Sequence, residues 1–349
     1  MTHHVPVLLS HVLSAVAARR TPPRSLLDCT FGFGGHTSAL LERFPSITRA
    51  LALDRDEAAA SRAAALQSTY GRDRLEFVNC AFSSAPRVIR SGERFDVVLL
   101  DLGFASSHVD DASRGFSFQL DGPLDMRYSQ QTQTVTAAQL VNERPQSELA
   151  FVFQRYGDEK LAAQLATAIV ERRQAEPFLM CKDLSNVCFR VALRHAHGAR
   201  SHRVEGAWQT CRRVFQALRI AVNDELGELA SVLEASPSLL ADEGTLLVIS
   251  FHSLEHDAVK RFLDAQCGKS AERERARLTA RLDARNPNVD HSDVVDAMVR
   301  DGKVSLPVPG QALFTRPKSK LPTSEEVKQN SRAASAKLRI ATRLARSEL

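Results

Sequence analysis

The 349-residue chain has no run of about 20 apolar residues, so no segment is built to cross a bilayer as a helix. Its six cysteines are scattered, and none forms Cys-x-x-Cys. That removes the usual thiolate zinc sites and any disulfide framework, and a reducing compartment is expected. No internal repeat or low-complexity block occurs. Eleven histidines are present, of which His195, His197 and His202 fall in a basic, glycine-containing stretch, Arg194 to Gly206. That stretch reads as a loop with no thiol in it, so solvated histidines are expected there and no metal. Acidic residues are absent from the first 27 positions, a composition shared with organellar transit segments. The net charge of +5 is a modest surplus, compatible with phosphate binding and equally with an ordinary basic surface.

What is present is a series of apolar runs that each end on a polar residue. Val97 to Leu100 reads as a buried parallel strand closed by Asp101, and Leu26 to Phe31 as a strand entering a turn, Gly32 to His36, before a helix opens at Thr37. A third run, Ala50 to Leu53, ends on Asp54, and a fourth, Leu75 to Val78, leads to Phe82. With helix-like stretches such as Asp56 to Gln67 between them, these runs predict a doubly wound α/β sheet, Rossmann-like, whose strand ends face a ligand crevice. The glycine turn lets a ligand approach the backbone, and an acid about 20 residues later suits ribose hydroxyls. A dinucleotide would favour glycine at the position of Thr37, where it would let the helix pack on the sheet. S-adenosylmethionine has no pyrophosphate and asks only for the close turn, the acid and an adenine slot. The spacing therefore favours a methyl donor over NAD. Gly34, Gly35, His36, Asp54, Phe82 and Asp101 are its expected cofactor-binding residues.

From Thr136 to about Arg203 the pattern becomes helical, as in Glu148 to Phe153 and Lys160 to Val170. A long helix is expected from Arg213 to about Leu233. Strand character returns at Thr245 to Phe251, residues 268–300 read as exposed helix, and Gln311 to Thr315 as a last edge strand. The expected organisation is a catalytic domain formed by residues 1–103 and 214–349, interrupted by a mostly helical insert, 104–213, that recognises substrate. The loop after Asp101 is unusual in carrying Arg114, Phe116, Phe118 and Arg127 without helical or strand period. Such a loop beside a strand end is a site or is pinned under a core cluster by its phenylalanines.

Motifs along nearly the whole chain carry a specific resemblance. They include His4-Val5-Pro6-Val7-Leu8-Leu9, Asp28 to His36, Leu53-Asp54-Arg55-Asp56, Asp101-Leu102-Gly103, Arg114-Gly115-Phe116-Ser117-Phe118 and Gly122-Pro123-Leu124-Asp125-Met126-Arg127. Further on come Phe215-Gln216-Ala217-Leu218-Arg219-Ile220, Ile249-Ser250-Phe251-His252-Ser253-Leu254-Glu255 and Ser335-Ala336-Lys337-Leu338-Arg339. In these the chain resembles the bacterial-type family of 16S rRNA (cytosine-N4) methyltransferases, known as RsmH or MraW. The resemblance implies a class I methyltransferase sheet, S-adenosyl-L-methionine as cofactor, and a cytidine of small-subunit rRNA as target. The early match at His4 to Leu9 also argues against a separate transit segment.

The chain departs from the family pattern at three places. His108 stands where the family has a Gln that touches the donor. Gln209 to Val214 replaces His-Pro-Ala-Thr-Arg-Thr, and Asn330 to Ser335 replaces Asn-Pro-Arg-Ser-Arg-Ser. His108 is accordingly expected as a further cofactor contact.

The expected catalytic residues are Asp101, Phe116, Arg127 and His252. Asp101 would accept a proton of the amine or hold the donor, and the others would hold the extruded base or close the pocket. RNA contacts are expected from Arg114 and Arg213 and from the basic C-terminal segment, where Arg332, Lys337 and Arg339 stand. An assembly factor that keeps the fold with weak or no catalysis is the alternative, motivated by His108 and Arg212. A small-molecule, protein or NAD enzyme is a third reading, disfavoured by the basic C-terminus. The partners expected are small-subunit rRNA or the assembling subunit, with a homodimer or assembly-factor partner left open and no membrane. The compartment would be the cytoplasm in a bacterium and the mitochondrial matrix in a eukaryote.

Overall fold

The computed structural model describes residues 6–104, 106–197, 199–267 and 312–345, together with Thr279, Ala280, Val295 and Met298. The described residues form two compact units, one from 1–54, 58–103 and 229–349, the other from 55–57 and 104–228.

The first unit is built on a seven-stranded sheet of order β3-β2-β1-β4-β5-β7-β6. Its strands are β1 (Ser25–Asp28), β2 (Arg49–Asp54), β3 (Leu75–Asn79), β4 (Phe95–Asp101), β5 (Leu240–Ser250), β6 (Lys318–Lys320) and β7 (Lys337–Thr342). β1 to β5 run parallel, and β7 is antiparallel to both β5 and β6. This is the doubly wound sheet that the apolar runs predict. Alternate residues feed two cores. Leu26, Ala50, Ala52, Val97, Leu99 and Leu247 face one, and Leu27, Leu51, Leu53, Val98, Leu100 and Leu246 face the other. Both faces of the parallel strands are thus buried, which is why they read as continuous apolar runs without polar alternation. The first face is covered by α1 (Leu9–Ala17), α2 (Gly35–Arg43) and α3 (Ala58–Tyr70), and the second by the short α4 (Ala85–Val88) among other elements.

The second unit opens with α5 (Ser106–Asp110) and continues through α6 (Ala137–Glu143), α7 (Gln146–Gly157), α8 (Ala162–Ala175), α9 (Cys181–His195) and α10 (Arg200–Asn223). It has a core of its own around Leu149, Phe153, Leu165, Phe178, Leu184 and Leu218. The chain then continues as α11 (Glu225–Leu239), α12 (Ser253–Gln266) and α13 (Ser324–Gln329).

Several expectations require correction. The helix placed at Arg213 to Leu233 is two helices, because Asp224 adopts φ 47° in the left-handed region and ends α10. Asn223 anchors that break by donating to Met126 O and Arg219 O, both at 2.8 Å, while accepting from Tyr128 N at 2.9 Å. The loop read into Arg194 to Gly206 is mostly helix, since α9 runs through His195 and α10 starts at Arg200. Gly206 lies inside α10, and one glycine within a helix is tolerated at a cost of about 1 kcal/mol. β1 stops at Asp28 and does not reach Phe31. In place of an edge strand over 311–315, Phe314 makes a single bridge to Arg343, and the added strands are β6 and β7. The helix expected at 268–300 lies outside the described residues, apart from the four isolated positions above.

In the second unit, two loop segments cross at backbone distance. A Cβ on Gly122 would fall 1.8 Å from Ala112 O, and one on Gly115 would fall 2.2 Å from Pro123 O. By contrast, a Cβ on Gly206 meets nothing within 4 Å. Gly122→Ala should therefore destabilise the protein by about 1–3 kcal/mol through overpacking. Gly206→Ala should stabilise it by about 0.5–1 kcal/mol, because the helical backbone accepts alanine and the unfolded chain loses freedom. Urea denaturation of the two variants should show midpoints moving in opposite directions.

Candidate active site

Three neighbouring parallel strands, β2, β1 and β4, end on carboxyl groups, Asp54, Asp28 and Asp101. Asp28 is buried, accepting from Thr37 Oγ1 at 2.6 Å and Thr30 N at 3.1 Å. Burial raises its pKa to about 6. Thr30 also offers its Oγ1 to Asp101 N at 2.6 Å. Asp54 accepts Gly32 N at 2.6 Å, so its carboxylate closes the turn between β1 and α2. Asn79, at the end of β3, donates to Asp54 O at 2.8 Å.

Gly34 occupies that turn at φ 75° and precedes α2. A Cβ there would meet Leu66 and Phe31, and one on Gly35 would meet Pro6. The demand for glycine at both positions comes from this internal packing.

His36 lies buried one turn from that point. Its Nε2 is 3.1 Å from Val7 O and its Nδ1 is 3.5 Å from Asp101 Oδ2. A carbonyl only accepts, so Nε2 carries the proton and Nδ1 presents a lone pair. Burial lowers the His36 pKa to about 4, so the ring stays neutral. A lone pair and a carboxylate repel each other, and the proton belongs on Asp101. Burial, reinforced by Asp28 and Glu255, pushes the Asp101 pKa well above the carboxylate range. Asp101 Oδ1 is shielded from water and, among the described residues, has no hydrogen-bond partner. A buried polar atom left unmatched costs about 1–3 kcal/mol, a cost that a cationic ligand donating to it would remove. The residues present therefore fit a ligand with a positively charged donor group.

Phe82 starts a 3-10 turn, Phe82–Ser84, and is half-buried against the second sheet core. His252 stands at the start of α12 with its Nε2 3.2 Å from Glu255 Oε1, and the Glu255 carboxylate also accepts Phe251 N at 2.7 Å. Ser250 Oγ lies 2.7 Å from His256 Nδ1 and 3.3 Å from Lys337 O.

In the second unit the loop residues are held by one another. His108 Nε2 is 2.7 Å from Asp56 Oδ2, and its ring stacks on Phe116 at 5.0 Å. Arg114 donates to Asp56 Oδ1 at 3.2 Å and to the carbonyls of Arg127 and Tyr128. Arg127 forms a two-pronged pair with Asp125, at 2.7 Å through both Nε and Nη2, and donates to Gln133 O. Phe116 is buried between Phe104, His108 and Tyr128. Arg114 and Arg127 thus have internal acceptors, and Phe116 is enclosed by aromatic rings. His108 serves Asp56 and the aromatic stack. Arg213 pairs with Glu159 at 3.3 Å while remaining partly exposed.

At the C-terminus Arg332 is exposed and Lys337 half-buried at the start of β7. Arg339 is buried within β7, and among the described residues its Nη1 has no hydrogen-bond partner. Its charge looked like surface because the strand that buries it was not foreseen.

Phe104 was missed. It is 43% exposed, stacks on Phe116 at 6.3 Å and lies under the Arg219 guanidinium at 4.5 Å. Arg219 is held in turn by Glu225 at 2.7 Å. Only its place directly after Asp101-Leu102-Gly103 could have drawn attention to it.

A seven-stranded sheet with an antiparallel β7 beside β5, and acids at the ends of β1, β2 and β4, defines a class I methyltransferase. Residues 1–288 match the model of the MraW methylase family. The chain is 38% identical over 344 residues to ribosomal RNA small subunit methyltransferase H of Paramagnetospirillum magneticum, covering 98% of this chain and 96% of that protein. It is 43% identical over 272 residues to the protein of that name in Rhodospirillum rubrum, covering 77% and 78%. With the Brucella ovis protein of the same name it shares 37% over 351 residues, covering 99% and 89%. The chain belongs to the MraW methylase family.

His36 and Asp28 should shape stability in opposite senses between about pH 4 and 6.5. The folded state keeps His36 neutral while the unfolded chain binds a proton, so its contribution rises with pH across that window. Asp28 holds a proton in the folded state that the unfolded chain releases, so its contribution falls from about pH 4 to 6. In His36→Gln the rising term disappears. The stability difference between wild type and variant should grow by up to about 3 kcal/mol from pH 4 to 6.5. Denaturation curves at a series of pH values check this, and parallel profiles would mean that His36 is charged in the folded protein.

Proposed function

We propose that this protein methylates the exocyclic N4 of a cytidine in small-subunit ribosomal RNA, using S-adenosyl-L-methionine. The observation that carries the reading is the unpartnered Asp101 Oδ1 beside a neutral His36 at the end of β4, in a chain of a methylase family. Relatives named for small-subunit rRNA methylation, similar over nearly the whole chain, support the substrate. The residues proposed to hold the donor are Asp54 for its ribose hydroxyls, Asp101 for its ammonium group, and Phe82 with the Gly32 to Gly35 turn for the rest. When bound, the donor supplies an electrophilic methyl carbon on a sulfonium.

The chain's own residues then have two tasks. Cytosine N4 is a poor nucleophile because its lone pair is delocalised into the ring. The protein must fix its direction, and alignment alone contributes several kcal/mol. As the N–C bond forms and the methyl–sulfur bond breaks, N4 must give up a proton to an acceptor. Asp101 is suited to that, or to the donor's ammonium group, only as a carboxylate; a nearby positive charge draws off the proton it holds in the free protein. The second unit, 55–57 and 104–228, is proposed to present the RNA. The assembly-factor alternative is not favoured, because the acids and the turn persist. The named relatives are all bacterial, which supports a bacterial cytoplasmic enzyme and gives the mitochondrial expectation no support.

Asp54→Ala should weaken donor binding by about 1–3 kcal/mol. Asp101→Asn should lower methyl transfer by two orders of magnitude or more, on the scale of lost proton-transfer or electrostatic help. Donor affinity of the wild type should fall as pH falls through the raised Asp101 pKa, and Asp101→Asn should flatten that dependence. Calorimetry checks the affinities. Mass spectrometry of small-subunit rRNA from cells with and without the protein checks the reaction; identical cytidine masses would overturn the reading.

A further inference from the structure

The helical unit carries an aromatic cluster that the proposed reaction does not use. Trp208, on α10, is 37% exposed. Its indole packs on Phe189 of α9 at 4.6 Å and on Phe118 at 6.0 Å, and Phe118 meets Phe215 edge-on at 5.9 Å. Phe215 is buried in the unit's core, so the cluster is anchored there. A tryptophan so held loses little further freedom on binding, and part of its ring is open to solvent.

Its charge setting is one-sided. Among residues 186–212 the charged side chains are Arg190, Arg194, Arg200, Arg203, Arg212 and a single acid, Glu205. All of these are exposed. Arg212 follows Trp208 by four residues on α10 and so shares its face. Surface helices usually carry acids and bases interspersed, so five arginines against one glutamate call for anionic partners. An exposed ring beside arginines meets the needs of single-stranded nucleic acid, with stacking for a base and cations for the flanking phosphates. An acidic protein partner would want the charge without the ring.

We propose that Trp208 is a stacking platform for an unpaired nucleotide of the RNA substrate outside the target base, with Arg212 on an adjoining phosphate. The platform sets how the strand is held and leaves the methyl donor site untouched. The proposal rests on the rRNA reading above and adds a second, non-catalytic contact to it.

Trp208 is the chain's only tryptophan, so its emission reports the site directly. The probe is a single-stranded oligoribonucleotide covering a cytidine-rich segment of small-subunit rRNA, titrated into the full chain with bound donor analogue. Emission should be quenched in step with binding measured independently on filters. Trp208→Ala should bind the strand roughly 5- to 100-fold more weakly, and Trp208→Phe should recover most of that loss. Arg212→Ala should reduce the slope of log affinity against log salt by about 0.7. Donor affinity should be unchanged in all three, which also shows that they fold. RNA binding with unaltered emission, and equal affinity in Trp208→Ala, would overturn the platform while leaving the methylation reading intact. Equal quenching by a duplex of the same length would overturn it too. Absence of both RNA binding and rRNA methylation in the wild type would instead remove the rRNA reading and the platform with it.

Discussion

The end of β1 is the constraint on which the donor half of this protein depends. Asp28 is the last residue of a central strand, buried between β2 and β4. A carboxyl group in that position has to be satisfied locally, and the next residues do it through Thr30 N and Thr37 Oγ1. Those two bonds set the path of the turn. Once Thr30 is fixed, its hydroxyl takes the N–H of Asp101, and the turn brings Gly32 N onto Asp54. One buried carboxyl group therefore sets the surroundings of the two other acids, at the ends of β2 and β4. The order of the strands makes this economical, because β1 is hydrogen-bonded to both of the strands that carry them.

The same arrangement makes the three acids unlike one another. Asp28 has two donors fixed on it and no reason to exchange them for a ligand. Asp54 is already engaged by a backbone N–H, and a carboxylate there can accept hydroxyls without a change of charge. Asp101 is different, since a neutral imidazole faces one oxygen and nothing faces the other. Burial and the neighbouring acids favour its protonated form, and a cation reverses that preference. Of the three, Asp101 is the group whose charge responds to what is bound.

The sheet was legible in the sequence because buried parallel strands are written as continuous apolar runs, and the runs at 50–53, 75–78 and 97–100 have no other use. The turn and the terminal acids were legible for a related reason: a polar residue at the end of such a run has to meet something. Charged residues off the sheet were not legible. Arg114, Arg127 and Arg339 read as candidates because guanidinium groups are usually exposed, yet their fate was decided by residues distant in sequence. Asp56 claims Arg114, Asp125 claims Arg127, and pairing of β7 with β5 buries Arg339. No periodicity encodes those pairings. The helix break at Asp224 was hidden likewise, because its cause is the side chain of Asn223 holding a loop almost a hundred residues earlier.

The aromatic residues sort by the same logic. Phe116 and Trp208 carry equal promise as letters, and burial separates them. Phe116 is enclosed by His108, Tyr128 and Phe104, so its faces are spent on holding the loop together. Its neighbour Phe104 is held too, stacked on Phe116 and lying under the Arg219 guanidinium, which Glu225 fixes. An exposed phenylalanine without such support would collapse onto the surface or cost stability by hydrating both faces. The buried ion pairs and stacked rings of the loop thus act as one unit, because the loss of any one leaves its partner buried without a mate.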